Sequence, residues 1–343
     1  MWTLLNKFYT FRHIHANISY IKILRKNYIK DHPYKNIHPW KSLSEFSNDL
    51  INNLIYNKDG LVILNKPYGI RRKKFNSFKS LENKIPNSVD YTLDDALPYI
   101  AKELNYSNLN IIKSPEMYMS GITLLAANPN IQHKIEFAFI HYRKYFINTY
   151  WIVTVGTPKE SSNKSCVGIK SISNPQFKNK RQILITSWSK NEEKLKKIKI
   201  LRTQYKILSN SILNLCSLIE LKSSFHNKHA IRLFASTFLY CPILGDNLYA
   251  SQIQKVGNTY VRVDPFLTYS TRKLDDKILK LLGITPNNQN IIPTHIHLRS
   301  IVLPKFFGKT LKIEAPLMPY FDWTYKQLEF KHTIQKQDIN HTL

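Results

Sequence analysis

Ile112-Lys113-Ser114-Pro115-Glu116-Met117-Tyr118-Met119-Ser120-Gly121-Ile122-Thr123-Leu124-Leu125-Ala126 joins a loop to a strand. Ile122 to Ala126 is a short apolar run that reads as a buried strand. Ahead of it, Pro115 stiffens a loop whose one acid is Glu116. Past it, Asn128-Pro129 has the form of an N-cap followed by proline at the first helical position. That predicts a helix from Asn128 to Tyr145, with Ile131, Ile135, Ala138, Phe139 and Tyr142 on one face. Tyr150 to Gly156 is β-branched and aromatic, hence a strand. On the N-terminal side, Leu61 to Asn65 predicts a strand that stops at the turn Lys66-Pro67-Tyr68-Gly69. Leu93, Ala96, Leu97, Ile100 and Leu104 have helical spacing, with Thr92 as cap and Pro98 as a kink.

Farther out, residues 157 to 200 are polar and hold the run Lys194, Lys196, Lys197 and Lys199, either a solvated hairpin or a phosphate-contacting arm. Leu213 to Lys222 predicts a strand. Ile231, Phe234, Ala235 and Phe238 predict a helix that closes at Gly245-Asp246. Leu274, Ile278 and Leu281 mark a short helix ending at Gly283. His295 to Leu303 and Thr310 to Ala315 are two last strands before a polar tail. Strands outnumber helices without strict alternation, which predicts an α+β fold around a mixed, mainly antiparallel sheet.

The chain of 343 residues is 43% hydrophobic, enough for a sizeable core. Lys and Arg number 50 against 23 Asp and Glu, a net charge of +27. Such an excess favours a polyanionic partner, either nucleic acid or an anionic membrane surface. Twenty Tyr and 17 Phe interleave with these cations, a mixture suited to unpaired bases. Nucleotide bias toward Asn, Lys, Ile and Tyr gives a similar composition, so charge alone does not decide. Cys166, Cys216 and Cys241 are odd in number and far apart, which argues against a disulfide framework and for a reducing compartment.

Met1 to Lys30 contains no Asp or Glu and alternates Lys7, Arg12, Lys22, Arg25 and Lys26 with apolar residues. This resembles a mitochondrial transit peptide; an RNA-binding arm is the alternative. Pro33 and Pro39 then suggest a linker. No run of some 18 apolar residues predicts a membrane span. A glycine-rich phosphate loop and a GxSxG elbow are both absent from the sequence. His295 and His297 could share a strand face, but two histidines without a third ligand do not predict a metal site.

Several motifs stand in one order. Asp59-Gly60-Leu61-Val62-Ile63-Leu64-Asn65-Lys66-Pro67-Tyr68-Gly69 is followed by Ser120-Gly121, Tyr150-Trp151-Ile152-Val153-Thr154-Val155-Gly156 and Ile231-Arg232. Then come Pro242-Ile243-Leu244-Gly245-Asp246-Asn247-Leu248-Tyr249, His295-Ile296-His297-Leu298 and Ile313-Glu314-Ala315-Pro316-Leu317. Over roughly residues 57 to 320 this set resembles the RluA-type RNA pseudouridine synthases, and within them the mitochondrial synthase-like proteins of animals.

The resemblance implies a pseudouridine synthase-like fold, a central sheet flanked by helices and loops around an RNA-binding cleft. It implies isomerisation of uridine in mitochondrial rRNA or mRNA, with no cofactor and no metal, and RNA-processing proteins as partners. Localisation in the mitochondrial matrix follows from the same likeness. The implied catalytic residues are Glu116 as nucleophile, Arg232 as its orienting partner and Tyr150 as the stacking face. Ser120, Gly121, Lys66, His229 and Lys228 are the implied substrate-binding residues. The implied organisation is a leader and linker over 1–45, a catalytic domain over 46–325 with an insertion at 251–293, and a polar tail over 326–343. The chain departs from the family at the site itself. Glu116 stands where the family has aspartate, Ser114 where it has arginine, and Phe225-His226-Asn227-Lys228-His229-Ala230 where it has TGRTHQ. A catalytically silent RNA-binding protein, aiding ribosome assembly or mRNA handling, is therefore the alternative expectation.

Overall fold

Strands make up much of this chain, and most of them assemble into one large sheet. The structure, a computed structural model, describes residues 32–74, 88–142, 146–174, 180–225, 229–257, 259–266 and 272–331. The predicted leader, and Lys228 among the site residues, lie outside the described residues.

The strands are β1 (Leu54–Lys58), β2 (Leu61–Lys66), β3 (Asn110–Lys113), β4 (Ser120–Ala126), β5 (Asn148–Val155), β6 (Ser162–Ser173) and β7 (Lys180–Ile185). They continue with β8 (Ile198–Asn210), β9 (Cys216–Ser223), β10 (Ile253–Val256), β11 (Thr259–Arg262), β12 (Ile296–Phe306) and β13 (Lys309–Glu314). Eleven form one sheet of order β1-β2-β4-β12-β5-β9-β8-β6-β7, with β13 beside β12 and β3 beside β4. β10 and β11 make a separate hairpin. Among the described pairs only β4 and β12 run parallel. The expected α+β class and mainly antiparallel sheet are what the structure has.

Strand parity explains how the sheet is covered on two faces. Along β2, Leu61 and Ile63 join one core cluster while Val62 and Leu64 join another. Along β4, Leu124 and Ala126 share the first cluster and Leu125 the second. Helix Pro129–His141 buries Ile131, Ile135 and Ala138 in the first cluster. It starts where expected, because Asn128 accepts the Ile131 N–H at 3.0 Å. Helices Leu43–Asn52 and Leu93–Glu103 cover the second cluster through Phe46, Leu50, Leu93, Ala96 and Ile100. A Thr92–Asp95 capping box begins the latter. Pro98 stays inside that helix on its exposed side, so the apolar face remains continuous.

Three expectations are corrected. The stretch read as a linker is packed from His32 onward: Tyr34 is buried, and its hydroxyl meets Thr324 Oγ1 at 2.7 Å. His32 and His38 donate through Nε2 to Leu282 O at 2.8 Å and Tyr68 O at 2.7 Å. The polar tail begins later than expected. Helix Pro319–Gln327 buries Tyr320, Phe321, Thr324 and Tyr325, and Leu328 and Phe330 are buried after it. The polar stretch after β5 is largely sheet: β6, β7 and the first part of β8 lie there, with alternating burial that hides the pattern from a hydropathy count.

Candidate active site

The loop that carries Glu116 hangs between β3 and β4 and is tied down at both ends. Gly69 N–H donates to Met117 O at 2.8 Å, and Met119 N–H to Glu116 O at 2.9 Å. Lys66, fully buried, donates from Nζ to Pro67 O (2.9 Å), Ile70 O (3.1 Å) and Met119 O (2.7 Å). Its ammonium braces the loop from beneath.

Ser120 and Gly121 serve the seam between β4 and β12. Gly121 has φ +113°, and a Cβ there would overlap the Leu298 carbonyl. The buried Ser120 Oγ lies 2.9 Å from His297 Nδ1 and 3.1 Å from the Tyr320 hydroxyl. Burial, then the charge of Arg299, pushes His297 down to about 3, so the imidazole is neutral near pH 7. Neither residue reaches the Glu116 carboxylate through a described contact; both fix where the loop ends.

Above this seam the chain gathers a charged, aromatic cluster. Tyr118, two residues past Glu116 on the same turn, donates its hydroxyl hydrogen to Glu116 Oε2. Arg232 lies on helix Ala230–Leu233, its guanidinium 4.3 Å from the Tyr118 ring centroid and 4.9 Å from that of Tyr249. It binds Asp246 bidentately, Nε to Oδ2 at 2.9 Å and Nη2 to Oδ1 at 2.6 Å, with both side chains buried. Asp246 in turn caps Leu248 and Tyr249, accepting both N–H groups at 3.1 Å. Gly245 ahead of it has φ +83°, and a Cβ would strike Pro293 O. The PILGDNLY stretch thus places the acid that holds Arg232 and the ring that covers it.

His229 enters the cluster in a left-handed conformation, φ +56°. Its ring stacks on Tyr118 at 5.2 Å and tilts against Tyr249 at 5.4 Å. Burial, then Arg232, lowers its pKa to about 4, so it is neutral near pH 7. Tyr150 is buried on β5 between Leu298 of β12 and Leu221 of β9. Burial first, then the Glu116 charge, raises its hydroxyl pKa, and the same two causes raise that of Tyr118. Glu116 itself is half-buried.

Glu116, Arg232, Tyr150 and His229 are thus brought together, while Lys66, Ser120 and Gly121 sit in the scaffold beneath. Tyr150 is fully buried, so its ring is closed off from solvent in this structure. Three participants escaped the sequence reading: Tyr118, which ties Glu116 to Arg232; Asp246; and Arg181 of β7. The charge of Arg181 acts on both His229 and Tyr249, so a distal hairpin returns to the site. β7 is held there by Arg262, which donates to Thr237 O at 2.9 Å and Leu184 O at 3.2 Å. Asp246 had a signal, the near-complete match of its motif; Arg181 had none.

Among the described residues no group of three or more His, Cys, Asp or Glu is arranged to hold a metal ion. Cys166, Cys216 and Cys241 are free thiols. No described helix is long and apolar enough to cross a membrane.

No family model matches the chain. Its fold is that of an RNA pseudouridine synthase. The solved structure of human RNA pseudouridylate synthase domain containing 4 superposes with a TM-score of 0.62 at 22% identity, over 84% of this chain and 97% of that one. Mouse mitochondrial pseudouridylate synthase RPUSD4 is 27% identical over 285 residues, 80% of this chain and 67% of its own. Mouse mitochondrial mRNA pseudouridine synthase Rpusd3 is 24% identical over 88% of this chain and 86% of its own. Ribosomal large subunit pseudouridine synthase C of Rickettsia felis is 27% identical over 78% of this chain and 68% of its own. Over most of its length the chain is thus similar in sequence to mitochondrial and bacterial RNA pseudouridine synthases.

Proposed function

We propose that this protein is a mitochondrial RNA pseudouridine synthase that isomerises uridine in ribosomal or messenger RNA, with Glu116 as the carboxylate that meets the nucleoside. The observation that carries this reading is the Tyr118 bridge. Its hydroxyl binds the Glu116 carboxylate while its face receives Arg232, so the acid is oriented and lies close to a guanidinium. Oriented charge in a partly desolvated site is what covalent catalysis by a carboxylate requires.

The reaction is an isomerisation. The N1–C1′ bond of uridine breaks, the uracil turns, and a C5–C1′ bond forms. The C5 proton leaves and N1 gains one, so atoms and electrons balance without an oxidant or reductant. The target nucleotide has to leave its stack to enter such a pocket. Glu116 has one methylene more than aspartate, and a displacement of about 1 Å can cost on the order of 10²-fold in rate. Tyr118 limits that loss by fixing where the longer side chain ends. Mitochondrial relatives and the basic, acid-free first thirty residues support the compartment, in this reading the matrix.

The test is a transcriptome-wide pseudouridine map of mitochondrial RNA, made with the wild-type protein and with Glu116→Gln. At least one uridine should lose its modification in the variant. Two identical maps would overturn the catalytic assignment and favour the silent RNA-binding reading, which the Asp-to-Glu departure motivates.

A further inference from the structure

The β10–β11 hairpin and the 3-10 turn Pro286–Ile291 line a hollow of about 690 Å³ outside the cluster described above. That volume lies within the roughly 300–1,000 Å³ typical of ligand sites. Lys255, Arg272 and Lys273 are the charged residues of its wall, and no Asp or Glu is among the described residues lining it. Gln254 and Asn287 add carboxamides.

Arg272 is held in place from two sides. Gln289 Nε2 donates to its carbonyl at 3.2 Å, and Gln289 Oε1 accepts from Leu274 N–H, also at 3.2 Å. Arg272 Nη2 donates to the Tyr260 hydroxyl at 3.1 Å, and the guanidinium lies 5.2 Å from that ring centroid. Nη1 is buried and has no hydrogen-bond partner. A buried donor without an acceptor is destabilising, so an oxygen brought by a ligand recovers what the free protein lacks. A preset guanidinium that shares a hollow with two lysines suits a phosphate by charge and by hydrogen-bonding capacity.

The hollow also shares part of its wall with a cavity that reaches Asp246. A smaller cavity of about 240 Å³ shares Arg272, Lys273 and Gln289 with it and is lined on its far side by Asp246 and Asn247. Asn247 Nδ2 donates to Asn290 Oδ1, on the rim of the larger hollow, at 3.4 Å. Asp246 is the carboxylate that binds Arg232.

We infer that this hollow is a second RNA site, which takes the phosphates and one unpaired nucleotide of a single strand flanking the target uridine. The inference rests on the proposed RNA-modifying role. A duplex keeps its bases stacked and presents a convex backbone, whereas a single strand can put a nucleotide into a concave site. The carboxamide lining suits a base; the three cations suit the backbone on either side of it.

The full chain is titrated with a fluorescent single-stranded oligouridine of about 20 nucleotides and with an RNA duplex of equal length, across a range of salt concentrations. In Lys255→Gln/Arg272→Gln/Lys273→Gln, single-strand affinity should fall at least tenfold. The slope of log affinity against log salt should shrink by about 2, from a loss of about 0.7 per single-strand contact. Lys255→Gln/Lys273→Gln, which changes only exposed side chains, should show most of the slope change with an unaltered melting curve. Unchanged affinity and slope in both variants would overturn the site. So would a loss of binding to anionic vesicles with RNA affinity intact, which would assign the hollow to a membrane surface. The result is separable from the catalytic claim. Turnover of a short uridine substrate uses the Glu116 cluster and none of the three cations of the hollow, so it should survive both substitutions, whereas binding of the long strand should survive Glu116→Gln.

Discussion

Tyr118 is central to the site because its hydroxyl binds Glu116 while its ring receives Arg232. Tyr118→Phe keeps the ring that Arg232 lies on and removes only the hydrogen bond to the carboxylate. A hydrogen bond to a charged group contributes about 1.5–3 kcal/mol, so the variant should lose roughly 10- to 100-fold in kcat with little change in melting temperature. Single-turnover kinetics on a uridine-containing RNA would measure it; an unaltered rate would remove Tyr118 from the machinery. Asp246→Asn acts differently. It leaves Arg232 as a buried cation with one carboxylate fewer, and breaking a buried pair costs about 3–5 kcal/mol. Urea unfolding should show that loss directly, together with loss of activity. Asp246 stands in a stretch whose likeness to the family is nearly letter for letter, so its place is legible in the sequence while its role is not. Tyr118 offered nothing to read. A tyrosine beside a buried strand is indistinguishable in sequence from a core aromatic, and only the turn geometry aims its hydroxyl at Glu116.

Between residues and the whole molecule, the elements differ in how openly the sequence declares them. β2, β4 and β5 are continuous apolar runs because both sheet faces are covered there, and periodicity finds them. Helix Pro129–His141 announces itself through Asn128-Pro129. β6 and β7 do not, since they lie at the sheet edge with polar residues interspersed; β6 pairs with β8 and β7 with β6. Helix Pro319–Gln327 hides for another reason. Its buried Thr324 has a single hydroxyl hydrogen that goes to Tyr320 O, leaving its oxygen to accept from Tyr34 and His295, a set of partners drawn from distant segments. The edge hairpin matters for function because Arg181 on β7 offsets negative charge in a cluster where Glu116 and Asp246 face Arg232. Arg181→Ala should raise the His229 pKa from about 4 toward its ordinary value, since it removes one of the cations that lower it. NMR titration of histidine-labelled protein reads this directly. A His229 signal whose titration does not move would place Arg181 outside the site's electrostatic reach.

At the scale of the molecule, the buried histidines set how stability answers to pH. His295 is held neutral by burial, with its pKa lowered to about 4, and His297 likewise at about 3. In the unfolded chain both titrate near 6.5. Between the folded and unfolded values the unfolded chain therefore binds more protons, and stability rises with pH. The contribution is fully present above pH 6.5 and is lost as pH falls toward 4 and 3. From pH 6.5 to pH 5 each histidine should remove about 2 kcal/mol, at roughly 1.36 kcal/mol per pH unit. His229, lowered to about 4 in the active-site cluster, acts in the same direction. The carboxylates whose pKa values are lowered, Asp95 and Glu192, respond only at more acid pH and leave this window to the histidines. Urea midpoints measured at pH 7.5, 6.5, 5.5 and 5 should thus be flat above 6.5 and fall steeply below it. His297→Gln, which removes one of the two core protonation sites while keeping a partner for Ser120, should flatten the slope by about one proton. A wild-type midpoint that stays constant down to pH 5 would contradict the neutral, buried state of these rings. It would also undo the account of the β4–β12 seam, because that seam joins Ser120 to an uncharged His297 directly beneath the Glu116 loop.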